Sequence, residues 1–409
     1  MKLDTSYEAI TNVRILDPES ATVSEPTTIR ISDDRISSIG GETPTHSGTT
    51  LDAEGRFAVP GLIDCHVHVL ANTADLGSLG DHSPAYLTVT ALNSMQDALR
   101  RGFTTLRDAG GADFGLAQAA EEGLFTAPRL FYGGKAISQT GGHADMRAPG
   151  ASVMDTHQCC PHMGVVCDGV ADVRRAARDQ LRTGTDHIKL MLSGGVASPT
   201  DRVDSTQFSD DEIRAAVEEA AAANRYALGH AYTAKAINRG LRLGVRSIEH
   251  GNLLDDESVN LFREHGAFLV PTLVTYERLH ADGAANGLPE ESQEKVESVL
   301  YAGLDALKLA DRGGVNIAFG TDLLGGMRGW QSHEFTIRGQ VQSAEAVLRS
   351  ATTTAAKLLQ REGELGVIAE GAFADLLLMD TNPLDDIAAL GSPEEAIDHV
   401  FSRGGLLSV

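Results

Sequence analysis

The chain is short of cysteine, of long apolar runs and of positive charge, and each shortage removes a class of function. Four cysteines in 409 residues are too few for a disulfide framework, and three of them, Cys159, Cys160 and Cys167, crowd into one segment. That usage fits a reducing cytoplasm. No apolar run approaches the roughly 18 residues of a membrane span. The start, Met1 to Glu8, is polar and shows no export signal. No membrane association is expected, and a cytoplasmic location is. Only 34 Lys and Arg stand against 57 Asp and Glu, giving a net charge of -23. Such a field repels polyanions, so no nucleic-acid partner is expected.

What is present points to a large enzyme-sized core. Hydrophobic residues make up 42% of the chain, enough for one large domain with a smaller companion. From about Phe57 to Leu365, short apolar runs alternate with helical patterns, as in repeated βα units. Eight candidate strands can be marked: Leu62–Val69, Thr104–Asp108, Leu130–Ile137, His187–Leu192, Ala227–His230, Ser247–His250, Phe268–Thr272 and Ile317–Asp322. Between them, Ser209 with Glu212 three residues on reads as a capping box that opens a helix over Asp210 to Arg225. Eight strands with intervening helices favour a closed barrel. At the flanks, Ile10 to Leu51 alternates Val, Ile and Thr with turn signals, and Ala374 to Met379 is a short strand-like run. The predicted architecture is α/β: a (β/α)8 TIM-like barrel over 57–364, and a small β-sandwich domain made from both termini, 1–56 and 365–409.

The chemistry-bearing residues sit at strand ends. In Pro60-Gly61-Leu62-Ile63-Asp64-Cys65-His66-Val67-His68, two histidines at i and i+2 project from one face of the first barrel strand. A pair of packed histidines would look the same, so the motif needs company. In His187-Ile188-Lys189-Leu190-Met191-Leu192, a lysine stands inside an apolar run, where an unpaired ammonium is costly. It either pairs with a carboxylate, reaches water, or is neutral often enough to react with carbon dioxide. The resulting carbamate is suited to bridging two cations. His230 and His250 end the fifth and sixth candidate strands, and Asp322 ends the eighth. Active sites of such barrels gather at the carboxyl ends of the strands, so these six residues from five strands are predicted to meet at one rim.

Taken in order, PGLIDCHVHV, HIKLMLSGG, LGHAYT, IEHG and FGTD resemble the amidohydrolase superfamily of metal-dependent hydrolases through nearly the whole chain. The resemblance is closest to the branch of imidazolonepropionase-like proteins and bacterial Xaa-Pro dipeptidases (prolidases) of the carboxylysine type. It implies two divalent metal ions, zinc by preference, with Lys189 N6-carboxylated. The first metal would lie on His66, His68, Lys189 and Asp322, the second on Lys189, His230 and His250. His143, in a glycine-rich loop after the third strand, resembles the family histidine that reaches toward the scissile group, although a surface histidine would read alike. Tyr232, two residues past His230, is placed to donate its hydroxyl to a substrate carboxylate, or else simply packs. Arg107 is a candidate anion contact in the substrate site, with pairing to Asp108 or another carboxylate as the alternative.

Two cations about 3.5 to 4 Å apart would share a water and lower its pKa toward about 7. Asp322 would then act as the proton shuttle, and His143 would stabilise the oxyanion. The expected partner is a small-molecule amide, an N-acyl or Xaa amino acid of the Xaa-Pro type or a related aryl or xenobiotic amide such as a mycotoxin amide, and the protein is expected to be a homo-oligomer. The alternatives are a cyclic-amide, carbamate or urea hydrolase, a phosphotriesterase-like hydrolase and, more remotely, a non-catalytic binding scaffold. The segment His157 to Cys167 lacks paired Cys-x-x-Cys knuckles and reads as a long loop over the site rather than a structural zinc site.

Overall fold

The computed structural model describes residues 1–41, 49–147, 150 and 162–408. Cys159 and Cys160, in the first part of the segment above, lie outside the described residues, as do its residues 157–161 as a whole. The barrel strands are parallel and arrive in chain order: Leu62–Val67, Phe103–Asp108, Arg129–Tyr132 continued by Ala136–Ser138, His187–Met191, Tyr226–Thr233, Ser247–Leu253, Phe268–Val270 and Asn316–Ile317. The ring closes through the Cys65 amide, which donates to the Phe319 carbonyl at 2.8 Å, so the eighth strand lies beside the first. These strands are apolar because both faces are covered. His187–Met191 and Phe103–Asp108 are buried at every residue.

Two expected strands differ in detail. The run Leu130–Ile137 is broken at Gly133-Gly134, where Gly134 takes φ +67°, a value that suits glycine. Its first half pairs with the second strand and its second half with the fourth. A short extra strand, Gly164–Val166, pairs parallel with Ala136–Ser138. Of the run Ile317–Asp322, only Ile317 stays in the ladder with the seventh strand, joined by Asn316 before it. Beyond it, the Asp322 amide turns to the His66 carbonyl at 2.8 Å.

The helix that opens at Asp210 runs to Ala222, with the Ser209–Glu212 capping box formed and Ile213, Ala215, Ala216 and Ala220 buried against the barrel. The terminal strands form one hydrogen-bonded sheet in which Lys2–Asp4 pairs with Gly405–Ser408. Its apolar core combines Ile10, Val13, Ile29 and Ile31 with Leu376, Leu378 and Phe401, so residues from both ends of the chain pack together. Phe57–Pro60, placed at the barrel's start from sequence, pairs with Leu376–Met379 and with Tyr7–Asp17 in this sheet. The terminal sheet thus reaches Pro60, and one residue, Gly61, separates it from the first barrel strand. Among the described residues, no helix is long and apolar enough to cross a membrane.

Candidate active site

His66 and His68 leave the same face of the first strand, and each ring is held from behind. Nδ1 of His66 lies 2.7 Å from Glu249 Oε2, and Nδ1 of His68 lies 2.7 Å from the Gly110 carbonyl. Both neighbours are acceptors, so each Nδ1 carries a proton and Nε2 faces the Asp322 carboxylate, at 3.5 Å from His66 and 3.3 Å from His68. His66 Nε2 is buried with no hydrogen-bond partner. One ligand atom from each of His66, His68 and Asp322 falls within 4.8 Å of the others. Imidazole nitrogens with a carboxylate oxygen suit a divalent cation such as zinc, and an orphaned Nε2 fits that use.

Lys189 is 2% exposed and makes no ion pair among the described residues. Burial pushes its pKa down to about 8, against the pull of Glu249 and Asp322. The ion-paired alternative is therefore not what the fold provides. His230 Nε2 donates to the Gly194 carbonyl at 3.1 Å, which leaves its Nδ1 free, and His250 Nδ1 lies 2.8 Å from Thr272 Oγ1. Burial pushes His250 down to about 3 and holds His66 and His230 well below the usual imidazole range, so these rings are neutral at neutral pH. Asp322 is held low instead: burial, which opposes its charge, is outweighed by His66, His68 and His250.

Three non-glycine residues here sit in the left-handed region: His250 at φ +74°, Thr272 at +45° and Asp322 at +53°. Each such conformation costs on the order of 1–3 kcal/mol, and such strain clusters at functional sites. Hydrogen bonds hold it in place, among them the Asp322 carbonyl accepting from Thr275 Oγ1 at 2.8 Å.

His66, His68, Lys189, His230, His250 and Asp322 line one cavity, together with His143 and Tyr232. The His143 ring stacks on His230 with centroids 4.2 Å apart. Its Nδ1 faces Ser198 Oγ at 2.8 Å and Asp201 Oδ2 at 3.4 Å. A Cβ at Gly195 would come within 2.1 Å of that ring, so only glycine allows the approach. Tyr232 stacks on His250 at 5.3 Å.

Arg107 is the exception. It is fully buried and does not line the cavity: its guanidinium grips both oxygens of Glu249 at 2.9 and 2.8 Å, donates to Ser247 Oγ at 3.1 Å and also bonds the Cys65 carbonyl. The expected anion contact with substrate is corrected to a support beneath the site, because Nε, Nη1 and Nη2 are each bonded within the barrel and the residue does not reach the cavity. Glu249, Thr272, Tyr276, Ser198 and Asp201, which complete the site's hydrogen bonding, were not singled out from sequence. Glu249, next to His250 in a buried strand, carried the one available signal, a carboxylate with no solvent to face.

Residues 57–407 match the amidohydrolase family. Ochratoxinase from Aspergillus niger is 32% identical over 397 residues, which cover 92% of this chain and 82% of the relative. Among solved structures, a prolidase in complex with N-methylphosphonate-L-proline superposes with a TM-score of 0.95 at 46% identity, over 98% of this chain and 99% of its own. A Xaa-Pro dipeptidase with methionine bound in its active site superposes with a TM-score of 0.88 at 31% identity, over 98% and 99%. With most of its length matched to the family model, and a relative 32% identical over 92% of the chain, the chain belongs to the amidohydrolase family.

Proposed function

We propose that this hydrolase of carbon–nitrogen bonds is a binuclear metal-dependent enzyme that cleaves the amide of an N-acyl or Xaa amino acid, with proline derivatives first among substrates. The observation that carries the reading is the convergence of six ligand-type side chains, from four strands and the segments that follow the first and eighth, on one cavity, with His66 Nε2 left unpartnered there. His66, His68, Lys189 and Asp322 would hold one divalent cation, and Lys189, His230 and His250 a second. When bound, such ions supply an activated water at neutral pH and a Lewis acid for the scissile carbonyl.

The chain's own residues do the rest. Lys189, neutral for a fraction of the time because its pKa is near 8, attacks carbon dioxide: an N–C bond forms, one N–H proton leaves to solvent, and the side chain becomes an anion. Asp322 accepts the proton of the attacking water and returns it to the leaving nitrogen. His143, oriented by Ser198 and Asp201, stabilises the oxyanion. Tyr232 donates to the substrate carboxylate. The relatives that act on or hold amino-acid derivatives support this substrate class.

The test is elemental analysis after zinc loading, joined to a panel of N-acyl amino acids, dipeptides, cyclic amides, aryl amides and a phosphotriester. Close to two metals per chain and turnover of the amino-acid amides are expected, with Asp322→Asn keeping the fold and losing about 10²–10⁴ of the rate. One metal per chain would make the site mononuclear. Phosphotriester hydrolysis alone would move the substrate class, and no turnover in a fully loaded protein would leave a binding scaffold.

A further inference from the structure

Beside the end of the first barrel strand, a second, smaller cavity is lined by two arginines and by no carboxylate. Arg328, in the short helical turn Gly325–Trp330, and Arg101, just past the helix Pro84–Arg100, both line it, with Ser94, Gln331 and an apolar wall that includes Val69 and Leu323. Its volume is about 20 Å³, room for one water-sized species. Arg328 Nη1 donates to the Val69 carbonyl at 3.2 Å. Its Nε and Nη2 are buried and have no hydrogen-bond partner. Arg101 directs Nε and Nη2 to Gln331 Oε1, a neutral acceptor, at 3.2 and 2.9 Å. Neither arginine forms an ion pair among the described residues.

The acids bonded to the cavity's walls are occupied elsewhere. Asp64 accepts from Thr321 Oγ1 at 2.6 Å and from Gln331 Nε2 at 2.8 Å. Asp108 accepts from the amides of Val69, Gly110 and Ala112 at 2.8, 3.0 and 3.1 Å. A guanidinium keeps its charge throughout the working pH range, and a buried charge needs a partner of opposite sign. Water would fill the space and accept the free N–H groups, but it brings no charge. A small monovalent anion does both. Sulfate, phosphate and carboxylates are too large for the volume, and the apolar wall disfavours a strongly hydrated ion. These limits select a halide, of which chloride is the abundant one.

We propose that Arg328, with Arg101, holds a single chloride ion in this cavity, an anion site separate from the one that takes substrate. His68 lines both cavities, and Arg328 reaches the residue next to it through the Val69 carbonyl. A filled site therefore ties the turn Gly325–Trp330 to the end of the first strand.

The test is thermal unfolding of the zinc-loaded protein while sodium chloride or sodium bromide replaces sodium gluconate at constant ionic strength, joined to anomalous diffraction from crystals grown in bromide. Gluconate is too large for the cavity, and fixed ionic strength removes general screening. A saturable rise in Tm of about 1–3 °C over about 100 mM halide is expected, with a bromide peak within hydrogen-bond distance of Arg328 Nε or Nη2. Arg328→Met keeps an apolar stem and removes the charge, so its unfolding becomes insensitive to the choice of anion. No rise in the unmodified protein overturns the site. So does a rise that survives in Arg328→Met, since the halide then acts elsewhere, such as on the zinc. If that variant does not fold, the bromide crystal decides: a peak beside Arg328 supports the site, and density without anomalous signal there is a water and overturns it.

Discussion

Arg107 and Arg338 are both fully buried arginines near a fully buried glutamate, yet only the first pair is joined. Arg107 and Glu249 meet through both carboxylate oxygens, and Glu249 Oε2 also receives His66 Nδ1 at 2.7 Å. Arg338 instead donates through Nε to Gln342 Oε1 at 2.8 Å, and both its terminal nitrogens lack partners. Its neighbour Glu334 accepts the Val274 amide on Oε2 at 2.7 Å and leaves Oε1 unpartnered. Burial accordingly pushes Glu334 up to about 8 and Arg338 down to about 10. The same two residue types, equally buried, therefore do different things. Where donors and acceptors meet, the pair is a rigid base behind His66. Where they are unmatched, the charged forms are penalised.

The sharpest way to break this contrast is Glu249→Ala. It strands Arg107 as a buried, unpaired cation, a loss of about 3–5 kcal/mol. It also removes the acceptor behind His66, which lowers metal affinity by about 10–100-fold. Urea unfolding of the metal-free protein reads the first effect and zinc titration the second. Wild-type values in both would show that Glu249 carries neither load.

Glu334→Gln works in the other direction. The folded-state pKa of Glu334 is raised from 4.5 to about 8, so its contribution to stability is fully present below pH 4.5 and is lost as pH rises through about 8. The amide needs no proton and still offers an oxygen to Val274. The variant gains stability by roughly 1–3 kcal/mol at pH 9 and less at pH 5. A gain that does not depend on pH would point to packing rather than charge. The smallest effect belongs to Ser247→Ala. Its hydroxyl donates to Glu249 Oε1 at 2.6 Å and accepts from Arg107, but the bidentate pair survives without it. A loss of about 1 kcal/mol is expected, with zinc retention unchanged. A loss as large as that of Glu249→Ala would mean that the pair depends on its third partner.

The contrast also explains how far sequence reading reached. His66, His68, Lys189, His230, His250 and Asp322 were legible because each is a polar residue at the end of an apolar strand, and strand ends share one rim. Arg107 ends a strand too, but it turns into the barrel floor, and only the position of Glu249 across the barrel, 142 residues away in sequence, makes that visible. Thr272 and Tyr276 were silent because hydroxyls on a strand end and on a helix carry no local pattern. The two-part third strand was hidden for a similar reason: Gly133-Gly134 can be read as part of a run until the partner strands are known.

Gly61 joins the terminal sheet to the barrel. Its amide donates to the Asp375 carbonyl at 2.9 Å, and a Cβ there would come within 2.2 Å of Thr104 Oγ1. Five residues later the chain reaches His66. For anyone wishing to graft this catalytic architecture onto another sequence, the transplantable unit is therefore larger than the barrel. It includes Phe57–Pro60 and the Leu376–Met379 strand that anchors it, because a graft cut at Leu62 would leave His66 and His68 on a strand with a loose root.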